Sequence, residues 1–319
     1  MNLVVGVSGL AGTEICRKLI EEGKAVRALV RISTDPAKQD RLKNLGASLM
    51  DGDLKDPGTL EAACRGISTV ISTASATFSR QPGDSIESVD SQGQLSLLRA
   101  ATAAGVRHFI FVSFPPLRED FALQRAKRAM ETALEASGLS YTVLQPTFFT
   151  EVWLSPVVGF DAANASARIY GAGQNKIRWI SYFDVARFAA ASGDNPAARN
   201  CVIKLGGPEA LSPLQVVQIF EQTGGLKFTV TRVPEETLQA EQAAATDSLQ
   251  EAFASIMLYY ARGDVIDMEP ACRVFPGVAS NLTSVRIMRG VFCVPRRHRR
   301  KPWRAKLTAL APGPFNALR

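Results

Sequence analysis

The chain has 319 residues, 46% hydrophobic and 21% charged, so it is globular and large enough for one big core or two unequal domains, which excludes a disordered or fibrous chain. Its net charge of +7 is a property of one end: residues 291–319 contribute +8 with no acid and leave −1 for residues 1–290, which argues against a specific nucleic-acid binder. Five cysteines without a C-x-x-C pair suggest neither a disulfide framework nor a zinc site, and the lack of about 18 uninterrupted apolar residues predicts no membrane span. No basic region followed by an apolar core opens the chain, so the expected location is the cytoplasm.

The first element is a β-branched strand at residues 3–5, followed by a helix whose apolar face carries Ile15, Leu19 and Ile20. A strand at 25–30 and a polar helix at 36–45, stopped at Gly46, complete a βαβ unit. A short strand at 47–50 leads to GDLKDPGTLEAA, where Asp56 can N-cap a helix with Pro57 as its first residue. STVISTAS then reads as strand four, DSQGQLSLLRAATAAG as a long helix and VRHFIFVSF as strand five. EDFALQRAKRAMETALEASG is a helix ending at Gly138, and LSYTVLQPTFF a sixth strand that runs into Pro146.

Strands alternating with helices imply a parallel sheet covered on both faces, because each crossover is right-handed. The expected class is α/β, a Rossmann-type doubly wound parallel sheet with a small C-terminal α/β lobe. Beyond about residue 150 the rhythm loosens. KIRWISYFDVARFAAAS and CVIKLGGPEALSPLQVVQIFEQTG still read as strand-plus-helix units, while FTVTRV, PEETLQAEQAAA and DSLQEAFASIMLYYARG suggest the smaller lobe. The predicted division is a first domain at 1–150 with strands extending to about 206, a lobe at 151–290 interleaved with the sheet, and a basic, disordered tail at 291–319.

The stretch VVGVSGLAG sets three glycines three apart between the first strand and helix. A helix that starts there aims unpaired N–H groups and its positive end at one spot, which favours a diphosphate. Gly6 permits the tight turn, Gly9 lets phosphate approach the backbone and Gly12 lets the helix pack on the strand. At the end of the second strand an acid would favour NAD, whereas a cation suits the extra phosphate of NADP. Arg31 stands there, with no acid until Asp35, and points to NADP (NADPH) in preference to NAD.

With GLAG, VRALVR, GDLKDP, the strand ends STAS and VSF, and SGLSYTVLQPTFF in order, residues 1–290 resemble the NmrA-like branch of the atypical short-chain dehydrogenase/reductase superfamily. The resemblance extends to isoflavone reductase-like enzymes, NADPH-dependent quinone reductases and photosynthetic assembly factors of that branch. It implies an NAD(P)-binding domain and a small lobe closing over a cleft. It assigns Gly6, Ser8, Gly9, Leu10, Ala11 and Gly12 to the diphosphate, Arg31 to the 2′-phosphate, and Asp53 and Leu54 to the adenine. Thr73, Ala74 and Ser75 would flank the ribose, and Pro146, Thr147 and Phe148 the nicotinamide. The family's usual GATGxxG is GVSGLAG here; Ser8 retains the hydroxyl of the usual threonine.

Reduction by NADPH needs a group that protonates or stabilises the developing oxyanion. The Tyr and the Lys four residues later, used by ordinary members of the superfamily, are absent: Tyr141, Tyr170, Tyr182, Tyr259 and Tyr260 precede Gln145, Gln174, Ala186, Gly263 and Asp264 at that offset. Lys127 is the remaining candidate. It shares a helical stripe with Leu123, Met130 and Leu134, where a buried charge is costly unless it meets a polar cleft. The resemblance agrees, since K-x-x-x-E before SGL-x-YT matches the region of the functional lysine in isoflavone reductase-like relatives. The alternative is a snorkelling Lys127 paired with Glu131. Ser113 aligns with the strand-five serine of catalytic relatives, although Phe114, Pro115 and Pro116 stiffen its surroundings. His108 reads as structural, and no metal-ligand spacing is present. Phe148, Phe149, Trp153 and Trp179 suit either an apolar pocket or plain core.

The expected activity is NADPH-dependent reduction of a small apolar carbonyl, quinone or enone bound against Phe148 and Trp153. A non-catalytic NAD(P)-binding sensor or assembly factor acting on a protein partner is the other reading, and a nucleotide-sugar epimerase a distant third.

Overall fold

β-Branched runs in the first half of the chain fold as short strands, each feeding a helix; the structure, a computed structural model, describes residues 1–79 and 81–286. The tail expected at 291–319 lies outside the described residues. In chain order the elements are β1 (Asn2–Val5), α1 (Leu10–Glu21), β2 (Val26–Val30), α2 (Pro36–Leu45), β3 (Ser48–Asp51), α3 (Pro57–Cys64) and β4 (Thr69–Ser72). A π-helical stretch, Ile86–Gly93, precedes α4 (Gln94–Ala103), β5 (His108–Val112), α5 (Ala122–Ala136) and β6 (Ser140–Pro146). Then follow α6 (Thr150–Trp153), β7 (Phe160–Asp161), β8 (Ser166–Tyr170), α7 (Tyr182–Ser192), β9 (Cys201–Leu205), α8 (Pro213–Gly224) and β10 (Thr229–Val233). The last helices are α9 (Glu235–Ala243), α10 (Ser248–Arg262), α11 (Glu269–Val274) and α12 (Pro276–Ala279).

One compact unit comprises Met1–Pro146, Tyr182–Leu205 and Asp267–Asn281. Its seven strands are all parallel, in the order β3-β2-β1-β4-β5-β6-β9. Reversal of the strand order between β1 and β4 opens a crevice at their carboxyl ends, where ligands bind in such sheets. Leu3, Val5, Val70, Phe109, Phe111, Val143, Leu97 and Leu134 form part of its core. Each such side chain contributes about 1.5–3 kcal/mol when buried. Asp35 and Asp56 cap α2 and α3, accepting from the Ala37 and Gly58 amides at 2.9 and 3.1 Å, each followed by a proline.

The second unit comprises Thr147–Ser181, Gly206–Ile266 and residues 282–286 of the described chain. Its sheet has the order β10-β8-β7, with β10 parallel and β7 antiparallel to β8. Phe148, Tyr170, Trp179, Phe220 and Tyr260 belong to its core, and the Trp179 indole donates to the Leu211 carbonyl at 3.0 Å.

Three local expectations are corrected. The helix expected from residue 90 begins at Ile86 as a π-helical turn, whose wider period hides it from a 3.6-residue pattern. The helix expected from residue 119 starts at Ala122, after Phe121 in extended conformation. Residues 176–181 form no strand: Ile177 donates to Leu211, Arg178 to Asp264 and Ile180 to Phe148, so successive residues find different partners and no ladder develops.

Candidate functional site

The β1–α1 loop is shaped by two close approaches. Gly6 has φ +87°, and a Cβ there would lie 2.7 Å from Thr73 Oγ1 and 2.8 Å from the Ala74 nitrogen. A Cβ on Gly12 would lie 2.2 Å from the Gly6 carbonyl oxygen, so only glycine lets the first turn of α1 sit on the loop. The Gly9 amide donates to the Gly6 carbonyl at 3.0 Å, and the Thr13 hydroxyl reaches the Val7 and Gly9 carbonyls, both at 2.8 Å. Gly9 is exposed, Ser8 and Leu10 are half-buried and Ala11 is buried. Unlike α2 and α3, α1 has no side chain capping its N-terminus. A glycine cradle below an uncapped, exposed helix start is a fit for a diphosphate.

Arg31 follows β2, and its Nη1 lies 2.5 Å from Asp84 Oδ2. Lys55 pairs with the other oxygen of Asp84 and, at 3.2 Å, with Asp53. The Ser79 hydroxyl donates to Asp84 as well. Burial would raise the Asp84 carboxyl, but hydrogen bonds from Lys55, Ser79 and Arg31 outweigh it and hold the group below the usual carboxylate range. Leu54, next to Asp53, is buried against Gly93 of the π-helical stretch.

Beyond β4, Thr73 donates its amide to the Val5 carbonyl at 3.0 Å, the Ala74 carbonyl accepts from Gln94 Nε2 at 3.0 Å, and Ser75 Oγ contacts Thr77 Oγ1 at 3.1 Å. Asp90 Oδ2 accepts from the Ala76 amide at 2.8 Å. Asp90 and Gln94, fully buried, thus hold the segment 74–76 from behind. Sequence reasoning missed both, because an acid at an apparent helix start reads as an exposed cap.

Lys127 is 4% exposed, with Nζ 3.3 Å from Asp90 Oδ1 and 4.9 Å from the centre of the Phe111 ring. The expected alternative partner, Glu131, is taken instead by Arg128 at 3.0 Å and by Gln145 Nε2 at 3.1 and 3.2 Å, which corrects the snorkelling reading. Ser113 stands apart from Lys127 in its bonding: its Oγ accepts from Arg128 Nη2 at 2.9 Å. Burial lowers the Arg128 pKa, and the Glu131 charge opposes this.

Pro146 ends β6 beside Leu205. In the second unit Thr147 donates to the Arg178 carbonyl, and Phe148 packs edge to face on Trp153 at 4.6 Å. Phe148 and Trp179 are core there. Among the described residues no group of three or more His, Cys, Asp or Glu could hold a metal, and no helix is long and apolar enough to cross a membrane.

A parallel sheet that reverses its order between β1 and β4, with a glycine cradle at the end of β1, defines a Rossmann-type doubly wound protein. The NmrA-like family model matches residues 2–277, and the chain belongs to that family. It is similar to the photosystem II assembly factor Ycf39 of Trieres chinensis, at 30% identity over 73% of this chain and 72% of the relative. It is equally similar to an NAD(P)H azoreductase of Xenophilus azovorans, at 30% identity over 81% of this chain and 85% of that one. Among solved structures, an NADPH-dependent quinone oxidoreductase of Escherichia coli complexed with NADPH shares the fold, with a TM-score of 0.73, 21% identity, and 91% and 99% of the two chains covered.

Proposed function

We propose that the chain is an NADPH-dependent reductase of a small apolar carbonyl, quinone or enone. The observation that carries this reading is Lys127, a buried cation 3.3 Å from Asp90, whose carboxylate also holds the Ala76 amide just beyond β4. The relatives and the solved structure named above as azoreductase and quinone oxidoreductase support a reductase.

Gly6, Ser8, Gly9, Leu10, Ala11 and Gly12 would hold the diphosphate of the cofactor, Thr73 to Ser75 the ribose, and Asp53 and Leu54 the adenine. Arg31 and Lys55 would hold the 2′-phosphate that separates NADP from NAD. The nicotinamide supplies a hydride when bound. Asp90 fixes the Lys127 ammonium, whose charge would stabilise an oxyanion and whose Nζ would carry the accompanying proton. Ser113, its Oγ accepting from Arg128, keeps its own hydroxyl proton available for donation.

The second reading is a dinucleotide-binding assembly factor that acts through a protein partner. The assembly-factor relative favours it. One experiment separates the two: fluorescence titration with NADPH and NADH, followed by quinones, aldehydes and an azo dye. Preferential NADPH binding with oxidation on adding an acceptor supports the reductase. Tight binding without oxidation favours the assembly factor, and no binding of either nucleotide overturns both.

A further inference from the structure

Two cations from different strand ends meet on one carboxylate. Arg31, just past β2, takes Asp84 Oδ2 at 2.5 Å, and Lys55, a few residues past β3, takes Asp84 Oδ1. The carboxylate side chain is only 2% exposed, while Arg31 and Lys55 are 30% and 27% exposed. Arg31 is the residue at the position where doubly wound folds distinguish NADP from NAD by charge. An anion that engages both cations therefore stands in the slot where the extra phosphate would be recognised.

From this we infer that Asp84 is a specificity-determining residue, an internal counter-anion that competes with the 2′-phosphate for Arg31 and Lys55 and limits discrimination between NADP and NAD. The inference rests on the nicotinamide-cofactor reading above. A phosphate monoester brought to this slot must either displace Asp84 or share the same donors with a negative charge beside it. NAD carries a ribose hydroxyl there and meets no such competition. The low Asp84 pKa agrees with a carboxylate that is ionised at neutral pH and fully competitive. The Ser79 hydroxyl on the same carboxylate keeps it in the slot.

The arrangement also explains why the cation pair tolerates half-burial without a ligand. Arg31 and Lys55 would otherwise repel each other in a partly desolvated site, and the carboxylate removes that cost. Asp84 immediately precedes Ser85, which caps the π-helical stretch in a reciprocal pair with Ser88, their hydroxyls accepting from each other's amides at 3.0 and 2.9 Å. The carboxylate is thus fixed to a defined element start and is not carried by an unanchored side chain.

The test is equilibrium binding of NADPH and NADH to the full chain, compared among the wild type, Asp84→Asn and Arg31→Ala. Asp84→Asn is expected to tighten NADPH at least about fivefold while NADH changes less than about twofold, since only the phosphate gains from the removed charge. Equal changes for the two nucleotides, or weaker NADPH binding, would overturn the inference. The wild type supplies a measurement that needs no variant: its preference for NADPH over NADH is expected below about thirtyfold, where two unopposed charge-assisted contacts would exceed about a hundredfold. A larger wild-type preference overturns the inference too. Failure of the cofactor reading looks different, because then the wild type binds neither nucleotide, or Arg31→Ala weakens both alike; either result removes the basis for a competing carboxylate.

Discussion

Lys127 and Asp90 face each other at 3.3 Å between α5 and the π-helical stretch, with side chains 6% and 0% exposed. Two charges so far from water depend on one another, and removal of one leaves the other uncompensated. Asp90→Ala is expected to destabilise the fold by about 3–5 kcal/mol in urea denaturation. The Ala76 amide loses its acceptor in the same substitution. Lys127→Met leaves Asp90 unpaired at a comparable cost in stability, and the folded variant should lower acceptor reduction by at least about a hundredfold with NADPH affinity within a few fold. Unchanged turnover would refute the assigned role.

Arg31→Ala is expected to weaken NADPH about five- to thirtyfold and NADH less than about twofold, because only the former carries the phosphate. Isothermal titration with both nucleotides reads the difference. Equal effects would mean that Arg31 serves the loop and not the phosphate.

Gly12→Ala sets a methyl group 2.2 Å from the Gly6 carbonyl oxygen. The loop or α1 must move, at a cost of about 1–3 kcal/mol. Both nucleotides should lose affinity together, and the melting temperature should fall; wild-type affinity in a folded Gly12→Ala variant would exclude this loop from the diphosphate site.

His108 is 3% exposed and contacts Thr142 Oγ1 through Nε2 at 2.9 Å. Burial, joined by the charge of Arg199 and opposed by the Gly193 carbonyl, lowers its pKa from 6.5 to about 4. A folded-state pKa below the unfolded value means that the unfolded chain binds the proton first as the pH falls. The contribution, of about 3 kcal/mol, is complete above the unfolded value and is lost as pH falls from 6.5 towards 4. His108→Gln should flatten the urea midpoint across that window relative to the wild type. An equally steep dependence in the variant would assign the effect to other groups.

The doubly wound sheet was legible because β-branched runs, Asp-Pro helix starts and spaced glycines are local signals. The candidate loop was legible for the same reason: Gly6 and Gly12 meet each other within one turn. Partnerships across long separations were not. Glu131, four residues from Lys127, is the partner that helical spacing suggests, yet Arg128 and Gln145 claim it and the lysine turns to Asp90. The scan for an acid after β2 stops at Asp35, whereas the acid that reaches Arg31 is Asp84, 53 residues on. KIRWIS has strand composition, but its hydrogen-bond partners diverge one residue at a time.

The π-helical stretch gives the chain an unusual sensitivity to length. Asp84 lies just before it, Asp90 within it and Gln94 just after it, so one short segment carries the contacts to Arg31, Lys127 and the Ala74 carbonyl. Deleting a single residue between Asp84 and Gln94 would rewind the wider turn towards an ordinary α-helix and change the angular spacing of Asp84, Asp90 and Gln94. The three could not all keep their partners, even with every side chain retained. Codon deletions in this segment should be far less tolerated than point substitutions at its exposed positions.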